Sequence, residues 1–257
     1  MVMISTICKA RVFIRRRLGY CAIRNAHVCF RAANSPAKVV YHTPRDSSGG
    51  LIVAQRISGA YRMITIPAIY KALMFSLGAD RAIARYVDEV LRPQPGMKIL
   101  DVGCGPANIL SYLPSVDYTG IDLNEKHIVF ARQRYGSRGR FVVGNASNLR
   151  QDKKQFDLIN VSALLHHLAD SDAASLFNAL KELLKPGGRI VTIDNVWLPK
   201  QRFAVKLVNK MDSGINIRTP EGYLKLLNGL GFEIQARIFN DLLRIPYDHF
   251  VMVVRNA

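Results

Sequence analysis

ILDVGCGPAN, residues 99–108, is the stretch of sequence that decides the fold. An apolar run ends in the carboxylate of Asp101 and leads directly into Gly103 and Gly105, two glycines separated by one residue. This pattern is typical of a buried parallel strand that ends in a tight turn, where a ligand and a following helix leave no room for a Cβ atom. A second short strand is predicted over residues 118–122, about twenty residues further on, and it also ends in an acid, Asp122. In nucleotide-binding α/β sheets, an acid at this place holds a ribose diol.

The third small position of the glycine loop separates two classes of cofactor. A dinucleotide-binding loop, G-x-G-x-x-G, would have its third glycine at position 108, which is Asn108. The pattern from Asp101 to Ala107 is Asp-x-Gly-x-Gly-x-Ala, which resembles the first motif of the class I S-adenosylmethionine (SAM)-dependent methyltransferases. SAM has no pyrophosphate for a helix N-terminus to bind, and its amino group and sulfonium favour a nearby carboxylate. The resemblance therefore implies SAM, and not NAD, as the cofactor.

Later segments resemble the same family in order and spacing, over roughly residues 70–257. Residues 140–146 resemble the third strand, 156–168 the fourth strand with its active-site loop, and 183–194 the Pro-Gly-Gly turn with the fifth strand. The family usually has Asp at the place of Asn145, whose amide oxygen can accept the adenine bond without charge assistance. The resemblance implies that the cofactor-binding residues are Asp101, Gly103 and Gly105 for the methionine portion, Asp122 for the ribose, Leu123 for the adenine or ribose rim, Asn145 and Ala146 for the adenine, and Ser162 at the end of the fourth strand.

The alternation of strands and helices predicts the fold class and the domains. This alternation implies an α/β protein with a parallel sheet and helices on both faces. The resemblance further implies a three-layer Rossmann-like sheet of seven strands, mostly parallel with a reversed C-terminal hairpin. The expected parts are a basic, disordered extension or leader over residues 1–50, an N-terminal helical cap over 51–95, and the methyltransferase domain over 96–257. An amphipathic helix over Met63–Ala79 fits either a lid or simple packing, and the insert Trp197–Gly229 is expected to influence substrate selectivity.

Charge is concentrated at the N-terminus. The chain has 257 residues, 36 Lys and Arg against 19 Asp and Glu, and nine of those basic residues precede the first acid, Asp46. Three interpretations stay open: a disordered or artefactual extension, a mitochondrial transit peptide, or a basic arm for nucleic acid or anionic lipid. We expect a cytoplasmic protein, with the mitochondrial matrix as the alternative. No transmembrane segment is predicted, and the four cysteines do not form a disulfide framework in a chain of this length.

His166 and His167 are the candidates for acid–base catalysis, because they follow the fourth strand where the transferred methyl group should lie. The alternative is that one or both rings pack structurally. Asp194-Asn195 resembles a metal-ligand pair, but Val161-Ser162 supplies no further acid after the fourth strand, so no metal is expected.

The acceptor class is narrowed by three motifs that the sequence lacks. The segment 160–163 has no Pro-Pro-aromatic loop for stacking an exposed base, and the sheet domain has no spare cysteine nucleophile and no glutamate pair for methylating arginine. We therefore expect methyl transfer to a small, lipid-like or glycan-like acceptor, with O-methylation favoured and a homodimer left open. The alternatives are an RNA methyltransferase that uses the basic arm, although we do not expect nucleic acid as a partner, and a SAM-binding protein without catalysis.

Overall fold

A computed structural model of the protein describes residues 28–31, 78–145, 155–212, 214–245 and 247–256. The sheet has eight strands in these ranges: β1 (Val28–Arg31), β2 (Lys98–Val102), β3 (Asp117–Asp122), β4 (Arg140–Val143), β5 (Phe156–Ser162), β6 (Leu184–Asn195), β7 (Phe232–Phe239) and β8 (His249–Asn256). Their order across the sheet is β1-β7-β8-β6-β5-β2-β3-β4. The five strands β2 to β6 are mutually parallel, whereas β8 is antiparallel to β6 and β7.

The predicted α/β class and the seven-stranded, mostly parallel sheet with a reversed C-terminal hairpin are confirmed. The structure adds one strand, because β1 pairs antiparallel with the outer edge of β7. β1 belongs to residues 1–50, for which the sequence favours a disordered extension, so its four residues are a feature that sequence reasoning did not predict. The rest of that extension and most of the helix predicted over Met63–Ala79 lie outside the described residues, and so does Ala146.

Five α-helices accompany the sheet in the described ranges: α1 (Ala79–Tyr86), α2 (Glu125–Tyr135), α3 (Asp170–Leu183), α4 (Phe203–Met211) and α5 (Pro220–Lys225). α1 continues as a π-helical turn, Val87–Leu91, so the helical winding changes at residue 87. The side chain of Asn124 caps α2 by accepting a hydrogen bond from the Lys126 amide. No helix in these ranges is long and apolar enough to cross a membrane.

The helices divide the core into two halves, which gives the three layers. On one half, Leu176, Phe177 and Leu180 of α3 are buried with β5, β6 and the C-terminal hairpin. On the other half, α1, α2 and the π turn are buried with the opposite faces of the same strands. Strands that are covered on both faces consist of nearly continuous apolar residues, as the buried run in β5 does. The carboxyl ends of the parallel strands meet at one edge, where ligands bind in open α/β sheets.

Candidate active site

An open cleft of about 430 Å³ lies at the carboxyl ends of β2 and β3. Six of the residues predicted from the sequence line it: Gly103, Gly105, Asp122, Leu123, Asn145 and His167. Gly103 and Gly105 have φ values of 71° and 54°, the left-handed region that glycine occupies without strain. A Cβ atom on Gly103 would also lie 3.3 Å from the side chain of Leu164. The loop therefore presents backbone, and not side chains, to the cleft.

Asp122 fixes the glycine loop to the end of β3. Its Oδ2 accepts a hydrogen bond of 2.8 Å from the Gly105 amide, and its Oδ1 accepts one of 2.7 Å from the Asn124 amide. A carboxylate oxygen has two lone pairs, so each oxygen can accept one more donor. The carboxylate can thus bind a diol while it holds the loop. Leu123, next in sequence, has 47% of its surface exposed at the cleft and offers an apolar surface for a flat ring.

Asp101 lies in the core, outside the residues that line the cleft. Its two oxygens accept hydrogen bonds of 2.7 Å from the Tyr118 hydroxyl and from the amide of Asn160, and the Tyr86 hydroxyl donates in turn to Asn160. Burial raises the pKa of Asp101 to about 6, although both hydrogen bonds oppose that rise. These buried hydrogen bonds hold the end of β2, from which the glycine loop begins. A direct contact between Asp101 and the methionine portion stays a prediction.

The two histidines have different environments. His166 is buried, and its Nδ1 lies 2.8 Å from Asp194 Oδ1 while its Nε2 lies 3.4 Å from Asp212 Oδ1. Burial alone would lower the pKa of His166, but the hydrogen bonds and charges of the two carboxylates outweigh it and raise the pKa to about 9. His166 is therefore charged at neutral pH. The His167 ring packs against it at 4.1 Å between centroids and lines the cleft.

His166, His167 and Asp212 also offer ligand-type atoms within 4.8 Å of one another. Both ring nitrogens of His166 already face carboxylates, so a cation would have to displace a bound proton. The expectation of no metal remains a prediction.

Arg218, from the insert predicted over 197–229, binds the backbone of the histidine loop, which we define as residues 163–169 between β5 and α3. The Arg218 guanidinium donates to the carbonyls of Leu165 and Leu168 at 2.8 and 2.6 Å, and it pairs with Asp170 at 2.7 Å. Sequence reasoning placed Arg218 in a selectivity segment and missed this supporting role. The neighbouring Thr219 caps α5 by accepting a hydrogen bond from the Gly222 amide.

Other predicted and missed residues complete the site. Ser162 ends β5 but does not line the cleft, whereas its neighbour Ala163, with φ of 50°, does. Asp212 and Asn160 were missed, and both are polar residues whose partners are distant in sequence. For Asn160 the available signal was an amide inside an otherwise apolar predicted strand.

Comparison with known proteins identifies a methyltransferase domain within the chain. Residues 99–188 match the family described as "Methyltransferase domain". Phosphoethanolamine N-methyltransferase 3 of Arabidopsis thaliana is 30% identical over 167 residues, which cover 62% of this chain and 33% of that protein. The ubiquinone/menaquinone biosynthesis C-methyltransferase UbiE of Shewanella sp. (strain ANA-3) is 25% identical over 151 residues, covering 55% and 59%. The matched stretch thus spans about a third to three fifths of these curated relatives.

Solved structures agree on the fold. A TehB-like SAM-dependent methyltransferase from Corynebacterium glutamicum has a TM-score of 0.54 at 23% identity, covering 73% of this chain and 96% of that one. Geranyl diphosphate methyltransferase, solved with GPP and sinefungin, has a TM-score of 0.54 at 18% identity, covering 68% and 77%.

The fold and the glycine-lined cleft define a Rossmann-like protein that binds its ligand at the carboxyl ends of parallel strands. Residues 99–188 match a methyltransferase domain, and this match supports the predicted resemblance to the class I SAM-dependent methyltransferases, whose cofactor is SAM. The residues present fit SAM. The glycine loop places no side chain in the cleft, and the Asp122 carboxylate can still accept hydrogen bonds from a ribose diol. Leu123 is exposed at the cleft.

Proposed function

We propose that the protein transfers a methyl group from SAM to a small or amphiphilic acceptor, with oxygen as the favoured acceptor atom. The observation that carries this proposal is the cleft itself, because Asp122, the glycine loop and His167 all line it. When bound, SAM supplies an electrophilic methyl group and a neutral thioether as leaving group. The protein has to orient the acceptor, exclude water and accept the proton that a hydroxyl acceptor loses.

His167 is the better placed of the two histidines for accepting that proton. His166 is charged at neutral pH and faces Asp194 and Asp212, so it has no free lone pair for an acceptor. We assign His166 a positioning role, because its ring packs against His167 and its backbone amide donates to Asp194. The proton of the acceptor would pass to His167 as the new oxygen–carbon bond forms.

The insert supports an amphiphilic acceptor. Phe203, Leu207 and Val208 of α4, and Ile215 beyond it, are 81%, 48%, 39% and 53% exposed among the described residues. The same segment reaches the histidines, since Asp212 follows α4 directly and the Asn216 amide donates to the His166 carbonyl. Exposed apolar surface on the segment that contacts the histidines suits a substrate with an apolar portion. The names of the two curated relatives include an amine and lipid quinones, so N- and C-methylation are the alternatives to O-methylation.

Calorimetric titration of SAM tests the cofactor site. The Asp122→Asn variant should bind SAM at least about tenfold more weakly, because it loses charge-assisted bonds to the ribose and one bond to the loop. Asp117→Asn is the matched control, since Asp117 is an exposed acid at the opposite end of the same strand, and it should bind SAM like the unmodified protein. Absence of SAM binding to the folded, unmodified protein would overturn the proposal.

Catalysis is tested separately once a screen of phenols, sugars and quinone precursors has found an acceptor. His167→Gln should lower kcat by about 100-fold or more while SAM affinity is retained, which is the effect of removing a general base. An unchanged kcat would remove His167 from the mechanism and leave the cofactor site intact.

A further inference from the structure

A second cavity of about 430 Å³ lies on the hairpin side of the sheet and shares no lining residue with the cleft. It lies between the π turn Val87–Leu91 and the strands β6, β7 and β8. Its lining includes Met97, which precedes β2, and Arg189, in the first half of β6. These positions lie towards the amino ends of the parallel strands, whereas the cleft lies at their carboxyl ends. The cavity is therefore separate from the methyl-transfer site.

Four arginines line this cavity: Arg92, Arg189, Arg237 and Arg255. Glu89 is the one acid in the lining, and it is shared by Arg237 at 3.8 Å and by Arg85 at 2.7 Å. Arg189 donates to the backbone carbonyls of Leu91 and Arg92, which are neutral acceptors. The lining thus has four positive charges against one negative charge.

The positive charges of these arginines oppose one another, which lowers the pKa of two of them. The pKa of Arg189 is lowered by burial and then by the charges of Arg255 and Arg92. Burial also lowers the pKa of Arg237, and Arg92 adds to that effect, although Glu89 opposes it. Arginine stays charged despite such shifts, so the repulsion persists in the folded protein. A bound anion would relieve it, because each guanidinium has donors in a planar fork that matches an oxyanion.

Apart from Gln94 and Gln235, the remaining lining of the cavity is apolar. Val90, Met97, Val251 and Val253 contribute hydrophobic surface beside the arginines. A single inorganic ion would leave much of this volume unfilled, and a doubly charged group is favoured over a carboxylate by the number of arginines. We propose that this cavity binds a small phosphate monoester, whose phosphate group lies among the four arginines and whose carbon portion lies against the valines and Met97.

The proposal does not depend on the methyltransferase activity, and binding of octyl phosphate to the whole chain tests it. Calorimetric titration at low ionic strength, below the micelle concentration, should show binding that is about tenfold weaker in Arg255→Gln and in Arg92→Gln. Lys225→Gln, at an exposed position on α5, removes the same charge elsewhere and should leave the affinity unchanged. Inorganic phosphate should bind more weakly than octyl phosphate, because it leaves the apolar wall uncovered.

Three results would overturn the proposal: no binding of octyl phosphate at millimolar concentration, equal weakening by Lys225→Gln, or unchanged affinity in both arginine variants. Thermal unfolding of each variant shows that it is folded, and the two arginine positions serve as independent tests. Titration in the presence of saturating SAM separates the two sites, since binding in this cavity should persist, whereas binding in the cleft should be lost.

Discussion

Replacing His166 should make the stability of the protein respond differently to pH. His166 is only 4% exposed, and it lies between the carboxylates of Asp194 and Asp212. Its pKa rises from the ordinary value of 6.5 to about 9 on folding, because the two carboxylates outweigh the opposing effect of burial. A pKa raised in the folded state means that the folded protein binds the proton more tightly. The resulting stabilisation is fully present below pH 6.5 and is lost as the pH rises through 9.

The size of the effect follows from the same pKa values. A rise from 6.5 to about 9 corresponds to about 3 kcal/mol of unfolding free energy. In His166→Gln this contribution is absent at every pH. The difference in unfolding free energy between the unmodified protein and the variant should therefore be about 3 kcal/mol larger at pH 6 than at pH 10.

Urea unfolding of both proteins from pH 6 to pH 10 measures this difference. Titrating groups remote from His166 contribute equally to both proteins and cancel, whereas Asp194 and Asp212, whose pKa values the His166 charge lowers, do not. Asp212→Asn provides a second test, because removing one of the two carboxylates should shift the loss of stability to lower pH. A difference between the unmodified protein and His166→Gln that stays constant within about 1 kcal/mol would refute the charged state of His166.

Three further predictions concern the support of the site. Arg218→Ala should lower the unfolding free energy measured in urea by about 2–3 kcal/mol, because it leaves the Leu165 and Leu168 carbonyls without a charged donor. Asp170→Ala removes only the exposed partner of Arg218 and should lower the same free energy by less than about 1 kcal/mol. Gly120→Ala should destabilise by about 1–3 kcal/mol in the same assay, since its Cβ would lie 2.9 Å from the Cys104 sulfur; a neutral result would show that this side chain moves aside. Addition of Zn²⁺ should leave the thermal unfolding midpoint unchanged, and a rise would establish a metal site at the histidines.

The glycine loop and the succession of strands along the chain could be predicted from the sequence because their causes are local. Gly103 and Gly105 follow an apolar run directly, and their left-handed backbone is required by the turn itself. The Pro-Gly-Gly segment expected before the fifth strand depends on neighbouring residues in the same way, although residues 186–188 lie inside β6, where Gly187 has a φ of 76°. Features determined by neighbouring residues can be predicted from the sequence alone.

The buried polar groups could not be predicted, because their partners come from distant elements. Asp101 forms its bonds with Tyr118 and Asn160, and whether its carboxylate points into the cleft or into the core depends on the packing of β2 between β3 and β5. Asp212 contacts His166 although the two residues are 46 positions apart in the sequence, and nothing in the intervening sequence indicates that pairing. β1 is similar, since its pairing with β7 depends on a free sheet edge more than on its own composition.

The attachment of the histidine loop to the insert constrains how this protein could change its substrate during evolution. Arg218 and Asp212 belong to the segment that we expect to select the acceptor, and they also hold the backbone and ring of the histidine pair. A new insertion that reshapes the acceptor pocket would therefore displace the proposed base unless it preserved both residues. Variation in acceptor preference should accordingly concentrate on the exposed side of α4, while these two anchor positions stay fixed.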